Sequence, residues 1–163
     1  MFRQGLAQKS LFKDLSPADL NCLEPLLEPV CLAQNQVIFK QGKNAEYLYF
    51  LLEGEVVVNY KPYDGPELTV GRIRPGGVFG WSAILGRQFY TSIALAAVES
   101  SAIRIRGAEL RELCEKRPQT GLAILGKLAE GIAKRLNSTH NQIFTMLVES
   151  MDLMDRQPEE NKP

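Results

Sequence analysis

The chain has 163 residues, nineteen basic and nineteen acidic, so its net charge at pH 7 is zero. Balanced charge provides no global field to draw in nucleic acid or an anionic membrane. Apolar content of 45% with 23% charged residues is that of a globular protein, and a single domain of this length buries roughly 70% of its unfolded surface. The longest apolar run, residues 93–98, is too short to span a bilayer. Met1-Phe2-Arg3-Gln4-Gly5 opens a polar segment rather than an apolar signal core, so a cytoplasmic protein without membrane contact is expected. Cys22, Cys31 and Cys114 are odd in number and include no Cys-x-x-Cys pair, which argues against a disulfide framework or a zinc site.

Ser16-Pro17-Ala18-Asp19 reads as a capping box with proline at the first helical position. The helix it opens carries Leu20, Leu23 and Leu27 and stops before Pro29. The apolar period then changes to two. Residues 30–34 and 37–40 are expected strands around Asn35, followed by a turn at Gln41-Gly42 and a hairpin of 47–52 with 56–60 about Glu53-Gly54. Asp64-Gly65 predicts a second tight hairpin with positive φ, leading into a strand over 67–73. After the turn Pro75-Gly76-Gly77, the stretch Val78-Phe79-Gly80-Trp81-Ser82-Ala83-Ile84-Leu85 reads as a short helix between two strands. Its free backbone N–H groups would make a natural place to hold an anion. Residues 93–98 and 102–106 are the last strands, and many short strands between turns point to a barrel or sandwich.

Beyond Arg106 the pattern is helical. A short helix over 107–116 stops before Pro118, and one long helix is expected from Gln119 to about Ser150. Leu122, Leu125, Ala129, Ile132, Leu136, Ile143 and Leu147 recur three or four residues apart, or a multiple of it, along its seam. The barrel can cover only part of such a helix, so a partner helix is expected, with Leu125, Ile132, Leu136 and Ile143 in a homodimer interface. Residues 1–151 then form one domain, and 152–163 a polar tail whose composition predicts disorder.

Three blocks carry a resemblance. The first is Val37-Ile38-Phe39-Lys40-Gln41-Gly42 with Tyr47 to Val56, and the second is Ile73 to Gly80 with the segment that follows. The third is Ala133-Lys134-Arg135-Leu136-Asn137-Ser138-Thr139-His140. In this order they resemble the cyclic-nucleotide-binding domain family that includes the bacterial catabolite activator. Gly42, Gly54, Gly76 and Gly77 all fall at expected turns of that pattern, where positive φ is cheap without a Cβ. The resemblance implies a mainly β protein, an eight-stranded antiparallel jelly-roll barrel with an N-terminal helical flank and a long C-terminal dimerisation helix.

It also implies that residues 78–94 hold the phosphate-binding cassette, with Phe79, Gly80, Trp81, Ser82, Ala83, Arg87, Tyr90, Thr91 and Ser92 as candidate ligand-binding residues. The family's ribose-binding glutamate corresponds here to Trp81, and its phosphate-binding arginine to Thr91. A buried arginine–phosphate pair is a charge-assisted bond of roughly 1.5–3 kcal/mol, so losing both contacts weakens cyclic nucleotide binding by orders of magnitude. Arg87 either swings in as the substitute or is simply solvated. Trp81 either plugs the vacated pocket or offers a platform to a ligand. The hydroxyls of Ser82, Tyr90, Thr91 and Ser92 either face a pocket or satisfy nearby backbone. Thr139 and His140 match helix positions that reach the purine edge in the family, against the plainer alternative of a surface or interface histidine.

One histidine supports no His-rich metal cluster, and no nucleophile elbow or Walker loop appears, so neither catalysis, a metal nor a cofactor is expected. In the family's transcription factors a helix-turn-helix domain follows the long helix. Here a short polar tail follows Ser150, and no DNA binding by this chain alone is expected. The expected function is a stand-alone regulatory or sensor module with altered or lost cyclic nucleotide specificity and a small-molecule effector. One alternative is a ligand-free dimeric scaffold for a protein partner, and another is a true cyclic nucleotide binder that uses Arg87.

Overall fold

The computed structural model describes residues 12–131 and positions 133, 145 and 148. The tail 152–163 and the positions Ile132, Leu136, Thr139, His140, Ile143 and Leu147 lie outside the described residues. Eight strands form two four-stranded antiparallel sheets, one ordered β1-β8-β3-β6 and the other β2-β7-β4-β5. They are β1 (Glu28–Leu32), β2 (Val37–Phe39), β3 (Tyr47–Glu53), β4 (Val56–Tyr60), β5 (Leu68–Ile73), β6 (Val78–Phe79), β7 (Ile93–Ala96) and β8 (Ser100–Arg106). Consecutive strands alternate between the sheets over most of the chain, which gives the jelly-roll topology.

Two cores result. Between the sheets, Leu32, Phe39, Tyr49, Leu51, Val56, Val58, Phe79 and Tyr90 fill the barrel, with Phe39 stacked on Tyr90 at 3.8 Å between ring centroids. On the other face of the β1-β8-β3-β6 sheet, Leu48, Phe50, Ile103 and Ile105 pack against helical residues that include Leu23, Leu110, Ile124 and Leu128. The alternation along β3 separates the two sets, because neighbouring side chains of a strand point to opposite faces.

Helix α1 (Pro17–Leu23) begins as its capping box predicts, the Asp19 N–H donating to Ser16 Oγ at 3.1 Å. Helix α2 spans Gly107–Lys116, and α3 starts at residue 118. Thr120, Ile124 and Leu128 of α3 are buried at four-residue spacing, and Thr120 Oγ1 donates to Asp19 Oδ1 at 2.6 Å, joining α3 to the first turn of α1. Leu122, Leu125 and Ala129, the described members of the expected seam, lie on the exposed side, Leu122 at 69% exposure. The helix therefore carries two apolar faces, and its own domain covers one.

Several boundaries differ from the sequence expectation. Strand β1 occupies 28–32 rather than 30–34, because Glu28 pairs with Arg104 in register and accepts its Nε–H at 2.8 Å. Pro29 is tolerated there since β1 is an edge strand. Residues 33–36 turn instead, with Asn35 at φ 66° and Gln36 Oε1 accepting the Ala33 N–H. Gly65 does not adopt positive φ, and the β4–β5 loop is held instead by paired 3.0 Å bonds between the Gln41 amide and the Lys61 backbone. Gly76 has φ 88°, whereas Gly77 is required for room: a Cβ there would lie 2.6 Å from Ile73 Cγ2.

Candidate functional site

The cassette begins where β6 ends. Phe79 pairs with Tyr49 of β3 and stacks on its ring at 5.0 Å, which fixes the strand end inside the barrel. Gly80 then turns the chain with φ 82°, and a Cβ there would lie 2.7 Å from the Tyr47 carbonyl oxygen, so the turn needs both its positive φ and its lack of a side chain. Trp81–Ala83 follow as a single 3-10 turn. The expected short helix is thus a single turn, closed by Ala83 N–H donating to Gly80 O, and one turn carries little of a helix dipole for an anion.

The far end of the cassette returns to the β2–β3 turn. Ala45 N–H donates to Gln88 O, Tyr90 N–H to Lys43 O, and Gly42 N–H to Tyr90 O. The Tyr90 hydroxyl accepts from Tyr47 N–H at 3.0 Å and donates to Tyr47 O at 2.8 Å. Burial pushes this phenol up to about 12. Its hydroxyl is thus committed to backbone. From behind, the Arg111 guanidinium of α2 donates to the Ala83 carbonyl oxygen.

Between the cassette and the β4–β5 hairpin lies a cleft of about 400 Å³. Its walls are Phe39, Val58, Tyr60, Val70, Phe79, Gly80, Trp81, Ser82, Tyr90, Thr91 and Ser92. Volumes of about 300–1,000 Å³ are those of small-molecule sites. Phe79, Gly80, Trp81, Ser82, Tyr90, Thr91 and Ser92 of the expected set are brought together here. Ala83 is buried behind the wall, Arg87 is exposed and outside it, and Thr139 and His140 lie outside the described residues. Trp81 is half-buried, in the wall and in contact with the outer core, so it borders the cleft instead of filling it. Phe39, Val58, Tyr60 and Val70 escaped the sequence reading. They come from β2, β4 and β5, and only the inward alternation of those strands, closed over the cassette by the fold, could have pointed to them. The bulge in β5 opposite Val58 and Asn59 leaves Val70 unpaired in the register and available to the wall.

The family model described as the cyclic nucleotide-binding domain matches residues 29–117. A CRP-like cAMP-activated global transcriptional regulator of Mycobacterium tuberculosis is 26% identical over 140 residues, 86% of this chain and 62% of its own length. The chain thus spans less than two thirds of that relative. Among solved structures, a candidate cyclic nucleotide-binding protein from Geobacter metallireducens is 30% identical with TM-score 0.71, over 83% of this chain and 96% of the other. The sensor domain of the transcriptional regulator DNR from Pseudomonas aeruginosa is 25% identical with TM-score 0.65, over 83% and 91%. With that match extending over more than half its residues, and with the barrel and cassette in place, the chain belongs to the cyclic nucleotide-binding domain family.

Proposed function

We propose that the chain is a homodimeric regulatory module, not an enzyme, whose cleft senses a small molecule and binds cyclic nucleotides weakly or not at all. The observation that carries this reading is an open cleft at the cassette whose described lining holds hydroxyls and aromatic rings and no arginine or acid. A cyclic phosphate placed there would lose its water without gaining a cationic partner among the described lining. The relatives' names describe regulators, one of them cAMP-activated, which supports a regulatory role while the altered lining speaks against the same effector. Exposure of Leu122 and Leu125 along α3 supports pairing with a second copy.

Native mass spectrometry of the purified protein tests the site: a retained small molecule, released on denaturation, is the expected result. A mass equal to that of the bare chain, with no change of Trp81 emission in any titration, favours the scaffold instead. Cyclic AMP and cyclic GMP should bind in the high micromolar range or more weakly by calorimetry. A sub-micromolar constant, abolished by Arg87→Ala, would favour the cyclic nucleotide binder.

A further inference from the structure

We infer that the cleft selects an uncharged, planar molecule with hydrogen-bonding groups along one edge, so that a neutral nucleoside is preferred over its cyclic phosphate. This rests on the reading of the cleft as a ligand site and specifies its chemistry. Every described side chain of the lining is aromatic, aliphatic or hydroxylic. Several basic groups of the surrounding elements are engaged elsewhere or lie outside the wall. Lys61 donates to the Gly65 carbonyl, Arg72 pairs with Glu55, Arg111 donates to the Ala83 carbonyl, and Arg87 is exposed outside the wall. Glu67, the acid at the hairpin base, accepts from the Asn59 amide.

The polar lining has a direction. Ser82 is 7% exposed and lines the cleft, and its hydroxyl makes no hydrogen bond to any described residue. Its oxygen is not sealed from solvent, so a ligand donor or acceptor there takes the place of water. Thr91 and Ser92 continue from Ser82 along the same wall, while the indole of Trp81 and the rings of Phe39 and Tyr60 supply flat apolar surface. Such a lining stacks a planar ring system and hydrogen-bonds one edge of it. Among the described residues an anion would meet only neutral hydroxyls as it sheds its hydration, and that cost sets the sign of the preference.

Adenosine and cyclic AMP form a matched pair of probes, since they differ chiefly in the charged phosphate ring. Calorimetry on the full chain, with Trp81 emission as a second readout, should give adenosine at least about tenfold tighter binding than cyclic AMP. Ser82→Ala should weaken adenosine by about fivefold, the scale of one neutral hydrogen bond. Thr91→Arg adds a cation to the exposed rim and should shift the ratio of cyclic AMP to adenosine affinity at least about tenfold towards cyclic AMP. Cyclic AMP binding as tightly as adenosine or tighter in the unmodified chain overturns the inference, and leaves the ligand-site reading to stand on a retained molecule. Absence of saturable adenosine binding also overturns it, whatever mass spectrometry finds.

Discussion

The hydroxyl of Tyr90 both accepts from and donates to the Tyr47 peptide, closing a backbone gap that no strand neighbour fills. Tyr90→Phe leaves that half-buried N–H and C=O without their partner, and should cost about 1–3 kcal/mol in urea unfolding while preserving the stacking on Phe39. The same phenol sets an alkaline limit. An unfolded tyrosine loses its proton near pH 10, whereas burial holds Tyr90 to about 12. The folded state keeps the proton longer, so stability is full below pH 10 and falls as pH climbs from about 10 to 12. Tyr49 is displaced in the same direction by burial, so Tyr90→Phe should flatten this decline without removing it, as urea midpoints across that range will show.

At the scale of elements, α3 presents an argument about what covers its second face. Thr120, Ile124 and Leu128 are already used by the domain, whereas Leu122 and Leu125 are exposed at 69% and 42%. Changing both to glutamate touches nothing buried and should alter fold stability by no more than about 0.5 kcal/mol. The unmodified chain is expected to sediment as a dimer at micromolar concentration and the double variant as a monomer; a monomeric unmodified chain ends the proposal. Helix α1, announced by Ser16 and Asp19, was legible in the sequence, as were the strands β3 and β4 themselves. Their expected hairpin was not borne out, because β3 pairs with β8 and β6 while β4 pairs with β5 and β7 in the other sheet, and the buried face of α3, Thr120, Ile124 and Leu128, lies off the expected seam. Less legible were β1, whose start depends on Arg104 some seventy residues away, and the cassette helix, which shrinks to one turn as its first hydrogen bond closes on Gly80. In the cleft, the wall from 79 to 92 could be read as a contiguous motif. The opposite wall of Val58, Tyr60 and Val70 could not, since nothing local marks which strand faces the cassette.

Taken whole, the molecule has no net charge, so these 163 residues should show no tight, sequence-selective DNA binding in an anisotropy assay at physiological salt. Among the described residues no helix is long and apolar enough to cross a membrane. The barrel and the helical layer meet behind the cleft, where a Cβ at Gly107 would sit 2.1 Å from the Ala83 carbonyl oxygen and Arg111 grips that same oxygen. With its peptide seated against one end of α2 and a guanidinium across it, the Trp81–Ala83 turn has no slack on that side. Ser82, in the wall of the cleft, therefore stands one residue from a carbonyl that two residues of α2 hold in place, so the cleft and the helical layer share a single peptide as their common support.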